Sequence, residues 1–169
     1  EHWGVIPDVM CLAKPVAGGL PIGVTIAKEN VMSSLKVGDH STTFSGSPLV
    51  CAAACAAIDV LLEEKLAERA VALGTYFKGQ LENLQTKYKI IREVRGLGLM
   101  LGLEFKFDVL NIILKTMDKG VLILDAGRNV LRFLPPLVIE KQQIDRVVSI
   151  LDAVLEEEEN ARASGTPSN

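Results

Sequence analysis

Lys14 is the residue whose neighbours most invite chemistry. It closes the apolar run Val9, Met10, Cys11, Leu12, Ala13 and is followed by Pro15 and the pair Gly18, Gly19. The spacing predicts a strand that stops and presents one amine at a glycine-rich turn. Partial desolvation at a strand end favours the neutral, nucleophilic form of an amine, which suits Schiff-base chemistry. An ordinary solvated lysine has the same spacing. A second candidate segment, His40 to Pro48, reads HSTTFSGSP and sets a hydroxyl cluster and Gly46 directly before an apolar run from Leu49 to Leu62. Ser and Thr in such a loop either contact a ligand or cap and turn the chain. His40 is placed to position this loop, and His2 has no partner motif.

These residues need elements to hold them. Strands over Val9 to Ala13 and Ile22 to Ala27 are predicted to bracket the glycine turn, with a helix over about Glu29 to Leu35 and a polar loop from Val37 to Ser47. Ser47 is a good N-cap and Pro48 a good first helical residue, because proline has no N–H to lose there. The helix after it is apolar almost all round, which predicts burial on most sides. From Glu63 the pattern changes to an amphipathic helix marked by Leu66, Ala70, Leu73, Phe77, Leu81 and Leu84. Strands are expected over Ile90 to Arg95 and Leu99 to Phe105, then a helix from about Val109 to Lys119 ended by Gly120. Short strands over Val121 to Leu124 and Val130 to Leu134 flank the turn at Gly127, and a last helix spans about Lys141 to Glu158. The acidic run Glu156 to Glu159 reads as a solvated, fraying helix end, and residues 160–169 read as disordered.

Composition excludes more than it names. The chain has 169 residues, 49% hydrophobic and 5% aromatic, with a net charge of −3. That is enough for one sizeable core or two small ones. Mild acidity and the lack of a dense basic tract argue against nucleic acid. No apolar stretch reaches membrane-span length once Asp59 interrupts the longest run, and no leader opens the chain, so a soluble cytoplasmic protein is the default. Cys11, Cys51 and Cys55 form no CxxC pair and lie in apolar surroundings, so they read as small core residues and no metal is expected.

Taken together, AKPVAGGLPIG and HSTTFSGSP resemble class III pyridoxal phosphate aminotransferases, most closely the group of acetylornithine and carrier-linked (LysW-type) lysine aminotransferases. VRGLGLMLG from Val94 and VLRFLPPLV from Val130 extend the resemblance from about residue 1 to the last helix near 158. It implies an α/β, fold-type-I transferase: residues 1–48 the end of the cofactor-binding large domain, 49–65 a buried connecting helix, 66–158 an α+β C-terminal small domain, and 159–169 a disordered tail. In the family a long N-terminal half precedes these residues and carries the phosphate cup, the ring that covers the pyridine and the aspartate on its nitrogen. The chain is therefore expected to be part of a larger polypeptide and inactive without that half.

The resemblance also implies roles. Lys14 matches the Schiff-base lysine, whose amine joins the cofactor aldehyde and then moves a proton. Thr43 matches the threonine on the cofactor phosphate, reaching the other subunit's site in a homodimer, and Thr42 its neighbour at the substrate. Arg132, in LRFLPP, matches an arginine near the substrate mouth, where a planar guanidinium takes a carboxylate with two hydrogen bonds. A strand arginine in a structural ion pair fits the same position. Arg95 in VRGLG reads as structural, and Gly96, Gly98 and Gly102 as strand-packing glycines. Serines at positions 41, 45 and 47 depart mildly from the family's usual residues. The implied reaction moves an ω-amino group from an N-acylated or carrier-linked diamino acid to 2-oxoglutarate, giving glutamate, in arginine or lysine biosynthesis. Glutamate-1-semialdehyde aminomutase or 4-aminobutyrate aminotransferase chemistry, and a non-catalytic dimerisation fragment, are the rival readings.

Overall fold

The structure, a computed structural model, describes residues 2–164 and divides into two compact units, one up to Lys65 and one from Leu66. In the first unit, β1 (Val9–Leu12) and β2 (Val24–Ala27) pair antiparallel, with Val9 opposite Ala27 and Leu12 opposite Val24. The open end is closed twice by the same two residues. Lys28 N–H donates to the Asp8 carbonyl at 3.1 Å, and Lys28 Nζ lies 2.6 Å from Asp8 Oδ1. Between the strands a 3-10 helix, Lys14–Ala17, ends where Gly18, in the left-handed region at φ 61°, donates its N–H to the Pro15 carbonyl.

α1 (Glu29–Met32) is shorter than the predicted helix. The chain continues in turns stitched by Ser33 Oγ to the Asn30 carbonyl and Ser34 Oγ to the Val31 carbonyl, the local competition that serine offers a helix. α2 (Pro48–Glu63) begins at the expected proline. Ser47 serves it through its backbone carbonyl, which accepts from Cys51 N–H at 2.9 Å, and not through its hydroxyl. The predicted burial of this helix is not met, since Ala54 is its only buried residue and Leu49 is 74% exposed. Cys11, Cys51 and Cys55 are likewise exposed, correcting their reading as core residues. Within its unit α2 packs mainly on the 3-10 helix, and most of its apolar circumference stays uncovered among the described residues.

The second unit has what the first lacks. α3 (Leu66–Lys87), β3 (Ile91–Leu97), β4 (Met100–Phe105), α4 (Leu110–Asp118), β5 (Leu124–Asp125), β6 (Val130–Phe133) and α5 (Lys141–Ala163) follow in order. The four strands make an antiparallel sheet ordered β3-β4-β6-β5. Alternation along β4 and β6 sends Leu101, Leu103, Phe105, Leu131 and Phe133 to one face, where they meet Phe77, Leu81, Ile112, Ile144, Leu151 and Leu155 from the helices. Phe77 and Phe133 meet edge to face with ring centroids 5.1 Å apart. At Gly74 and Gly98 helix and hairpin touch backbone to backbone, because a Cβ on Gly74 would fall on the Gly98 carbonyl.

Two ends differ from expectation. β5 starts only at Leu124, because Val121 N–H is taken by the Thr116 carbonyl as α4 unwinds at Gly120, φ 83°. α5 runs to Ala163, past the predicted end near 158; residues 165–169 of the expected tail lie outside the described residues. The acidic end does not fray. Glu158 is fully buried, with Arg162 Nε at 2.8 Å and Lys115 Nζ at 3.6 Å, and Glu159 accepts Lys89 N–H at 2.8 Å. Cations arriving from α4 and from the helix itself neutralise a charge that the sequence pattern alone assigns to solvent.

Candidate active site

An open cleft of about 750 Å³ in the first unit gathers the two segments that the sequence singles out. Lys14 lines it from the start of the 3-10 helix, with Gly19 to Gly23 from the glycine turn and His40, Thr42 and Ser45 to Ser47 from the hydroxyl loop. β1 delivers Lys14, and the turn that follows sets its direction. Its φ is 59°, in the left-handed region that is uncommon for a residue with a Cβ. Pro15 and Gly18 commit the next residues to a tight turn. The hydroxyl loop is shaped by Gly46 at φ 66° and by Ser45 N–H donating to the Thr42 carbonyl at 3.0 Å.

The predicted residues divide. Lys14 and Thr42 line this cleft, whereas Thr43, exposed beside them, is not part of its wall. Arg132 belongs to the second unit, on the outer face of the sheet, where it lines a pocket with Arg95, Gly102 and Val130. Phe44, 86% exposed, stands in the cleft wall with no role expected from the sequence, and Cys51, expected in a core, lines the cleft too. An aromatic inside a run of hydroxyls was the available signal for the first. Arg95, expected to be structural, is held by carboxylates, bridging Glu93 at 2.8 Å and hydrogen-bonding Glu104. That bond is the main reason the Glu104 carboxyl is held below its usual range, with Arg92 adding to it at 3.0 Å.

The model of the class-III aminotransferase family matches residues 1–155. The chain belongs to the class-III aminotransferases. Acetylornithine aminotransferase from Methanocaldococcus jannaschii is 48% identical over 157 residues, which are 93% of this chain and 39% of that protein. The enzyme of the same name from Caldanaerobacter subterraneus is 46% identical over 158 residues, 93% of this chain and 40% of its own length. The solved acetylornithine aminotransferase from Elizabethkingia anophelis superposes with a TM-score of 0.86 at 37% identity, covering 92% of this chain and 42% of that one. The fold is thus that of the fold-type-I transferases, and this class-III chain spans about two fifths of the curated relatives it matches.

Class-III aminotransferases are pyridoxal phosphate enzymes. The cleft fits such a group at its reactive end: one primary amine, Lys14, lines a space of about 750 Å³, and Thr42, Ser45 and Ser47 line it with hydroxyl groups. A Cβ built on Gly19 or Gly46 would meet nothing, so no side chain narrows the entrance at either glycine.

Proposed function

We propose that these residues, together with an N-terminal region of the kind their relatives carry, form an aminotransferase. It would move the ω-amino group of an N-acylated or carrier-linked diamino acid of the acetylornithine type to 2-oxoglutarate, in arginine or lysine biosynthesis. The observation that carries this reading is Lys14, the lone lysine in the wall of a cleft that also contains the hydroxyl loop, in a chain 48% identical to an acetylornithine aminotransferase. Bound pyridoxal phosphate supplies an electron sink for charge developing on the substrate carbon.

The chain's own residues do the rest. Lys14 Nζ would hold the cofactor at its aldehyde, and the same amine would take up and return a proton at the amine-bearing carbon of the substrate. A long, flexible side chain ending in a primary amine suits both tasks, and a guanidinium does not. Thr42 orients the substrate. Thr43, outside the wall of its own cleft, is assigned to the cofactor phosphate of a second subunit in a homodimer, adding a donor without adding charge. Arg132 receives a substrate carboxylate, and a cytoplasmic setting completes the reading.

The test is borohydride reduction of the chain with pyridoxal phosphate, with and without a supplied N-terminal region, followed by peptide mass mapping. Stoichiometric label confined to Lys14 when the regions are combined is the expected result. Label scattered over surface lysines in both samples would overturn it.

A further inference from the structure

Two hydroxyls in the Lys14 cleft are braced and unspent. Ser45 and Ser47 line it on either side of Gly46, in the wall that also carries Thr42. Their backbones are tied within the loop. Ser45 N–H donates to the Thr42 carbonyl at 3.0 Å, Ser47 N–H donates to the Phe44 carbonyl at 3.4 Å, and the Ser47 carbonyl accepts from Cys51 N–H at 2.9 Å. Neither side chain has a hydrogen-bond partner among the described residues. For Ser47 that is unusual, because a serine just before the first turn of a helix ordinarily gives its oxygen to the N–H groups of that turn. Here the hydroxyl makes no such bond and lines the cleft instead.

Chemistry narrows the group that two such hydroxyls would take. A hydroxyl donates and accepts without carrying charge, so a pair in one wall complements a secondary amide, whose C=O accepts and whose N–H donates. A phosphate fits less well. Of the four N–H positions that a helix start leaves open, Pro48 has no N–H and Ser47 has given its own to Phe44. The main-chain donors that cradle a phosphate at a helix start are therefore halved. An N-acylated diamino acid carries an amide at the end away from its reacting amine, with methylenes between them. With the ω-amine at Lys14, that amide must lie elsewhere along the cleft of about 750 Å³. A Cβ built on Gly46 would meet nothing, so the strip between the two serines is open to it.

We propose that Ser45 and Ser47 are specificity residues for the substrate's acyl amide, one hydroxyl donating to its carbonyl oxygen and the other accepting its N–H. Resting on the aminotransferase reading above, this assigns to two side chains the distinction between an acylated diamino acid and a free one.

The test is calorimetric titration of the chain, combined with its N-terminal region and loaded with pyridoxal phosphate, with N-acetylnorvaline and with valerate. Both probes keep the substrate's carbon chain and lack the reacting amine, and only the first has the amide. Tighter binding of N-acetylnorvaline is expected. Ser45→Ala and Ser47→Ala should each weaken it about threefold to tenfold, the scale of one neutral hydrogen bond, and leave valerate where it was. Ser47→Thr, which keeps the hydroxyl, should retain the preference. The thermal midpoint of Ser47→Ala should stay at the unsubstituted value because no capping bond is lost; a clear fall would make Ser47 a helix cap and overturn its part in the site. N-acetylnorvaline bound no tighter than valerate, unchanged in both alanine variants, or weakened equally with valerate would overturn the proposal. So would loss of the borohydride label with pyridoxal phosphate but not with pyridoxal, which would give the serines to the cofactor phosphate. The label also separates the two readings. Label confined to Lys14 with serine variants indifferent to the amide keeps the aminotransferase and removes the specificity site, whereas scattered label with the serine effect intact removes the aminotransferase and keeps an acyl-amide site.

Discussion

The two units have comparable shares of apolar sequence and opposite fates for it. In the second, side chains from three helices and a sheet close over Phe77, Leu103, Phe105 and Leu151, each exposed 2% or less. In the first, Ala17 and Ala54 are the buried hydrophobic residues among those described, while Trp3, Ile6, Phe44 and Leu49 are each at least 74% exposed. A hairpin and a helix set local geometry, including the direction of Lys14, without enclosing a core. Four strands under three helices enclose one. Apolar content is thus a statement of what a segment requires, and burial depends on whether neighbours are there to meet it.

The comparison is broken most directly by truncation. Phe105→Ala should cost about 3 to 5 kcal/mol in denaturant unfolding of the second unit, whereas Leu49→Ala should stay within about 0.5 kcal/mol. Equal losses would mean that the first unit has an enclosed core after all. A smaller effect is expected at the tightest backbone approach. Gly74→Ala drives a methyl into the Gly98 carbonyl and should cost about 1 to 3 kcal/mol, while Gly19→Ala, with open space around it, should lose only what its φ of 109° imposes. Thermal melts of both variants decide this.

Next comes the start of α5, where Gln143 Oε1 accepts the Glu140 N–H at 2.8 Å. Gln143→Ala should cost about 0.5 to 1 kcal/mol, read as a lowered urea midpoint. The smallest effect appears only in acid. The Glu104 carboxyl is held below its usual range chiefly by its hydrogen bond to Arg95. Its contribution is present above the unfolded value, near pH ~4.3, and is lost as pH falls through the lower folded value. Glu104→Gln should therefore flatten the acid limb of a stability-against-pH curve for the second unit and leave the first unit's curve unchanged.

Legibility followed the same division. The long helices of the second unit were readable because Leu66, Phe77, Leu81 and Leu84, and later Ile144, Leu151 and Leu155, recur at helical spacing and do lie on a core. Spacing left Lys14 open between an ordinary solvated lysine and a Schiff-base lysine, and the resemblance rather than the pattern joined it to the hydroxyl loop; the two segments do line one space. What failed depends on partners that a linear pattern does not specify. α2 is as apolar as a buried helix but has few neighbours in its own unit. Glu158 looked solvated until Lys115 arrived from a helix more than thirty residues upstream. β5 lost its first residues to a hydrogen bond from Val121 to the end of α4. Arg95 was legible as a structural residue; its position across Gly102 from Arg132 is a fact of register, which motifs do not contain.

The left-handed backbone at Lys14 has a consequence for the history of the site. A side-chain-bearing residue in that conformation forgoes about 1 kcal/mol or more that glycine would not. Drift under selection for folding alone would erode such a position toward glycine or asparagine, which tolerate the geometry. Under the role proposed for Lys14, its amine is what glycine or asparagine there would forgo, so replacement of this one residue would mark a descendant that had abandoned the chemistry while keeping the fold.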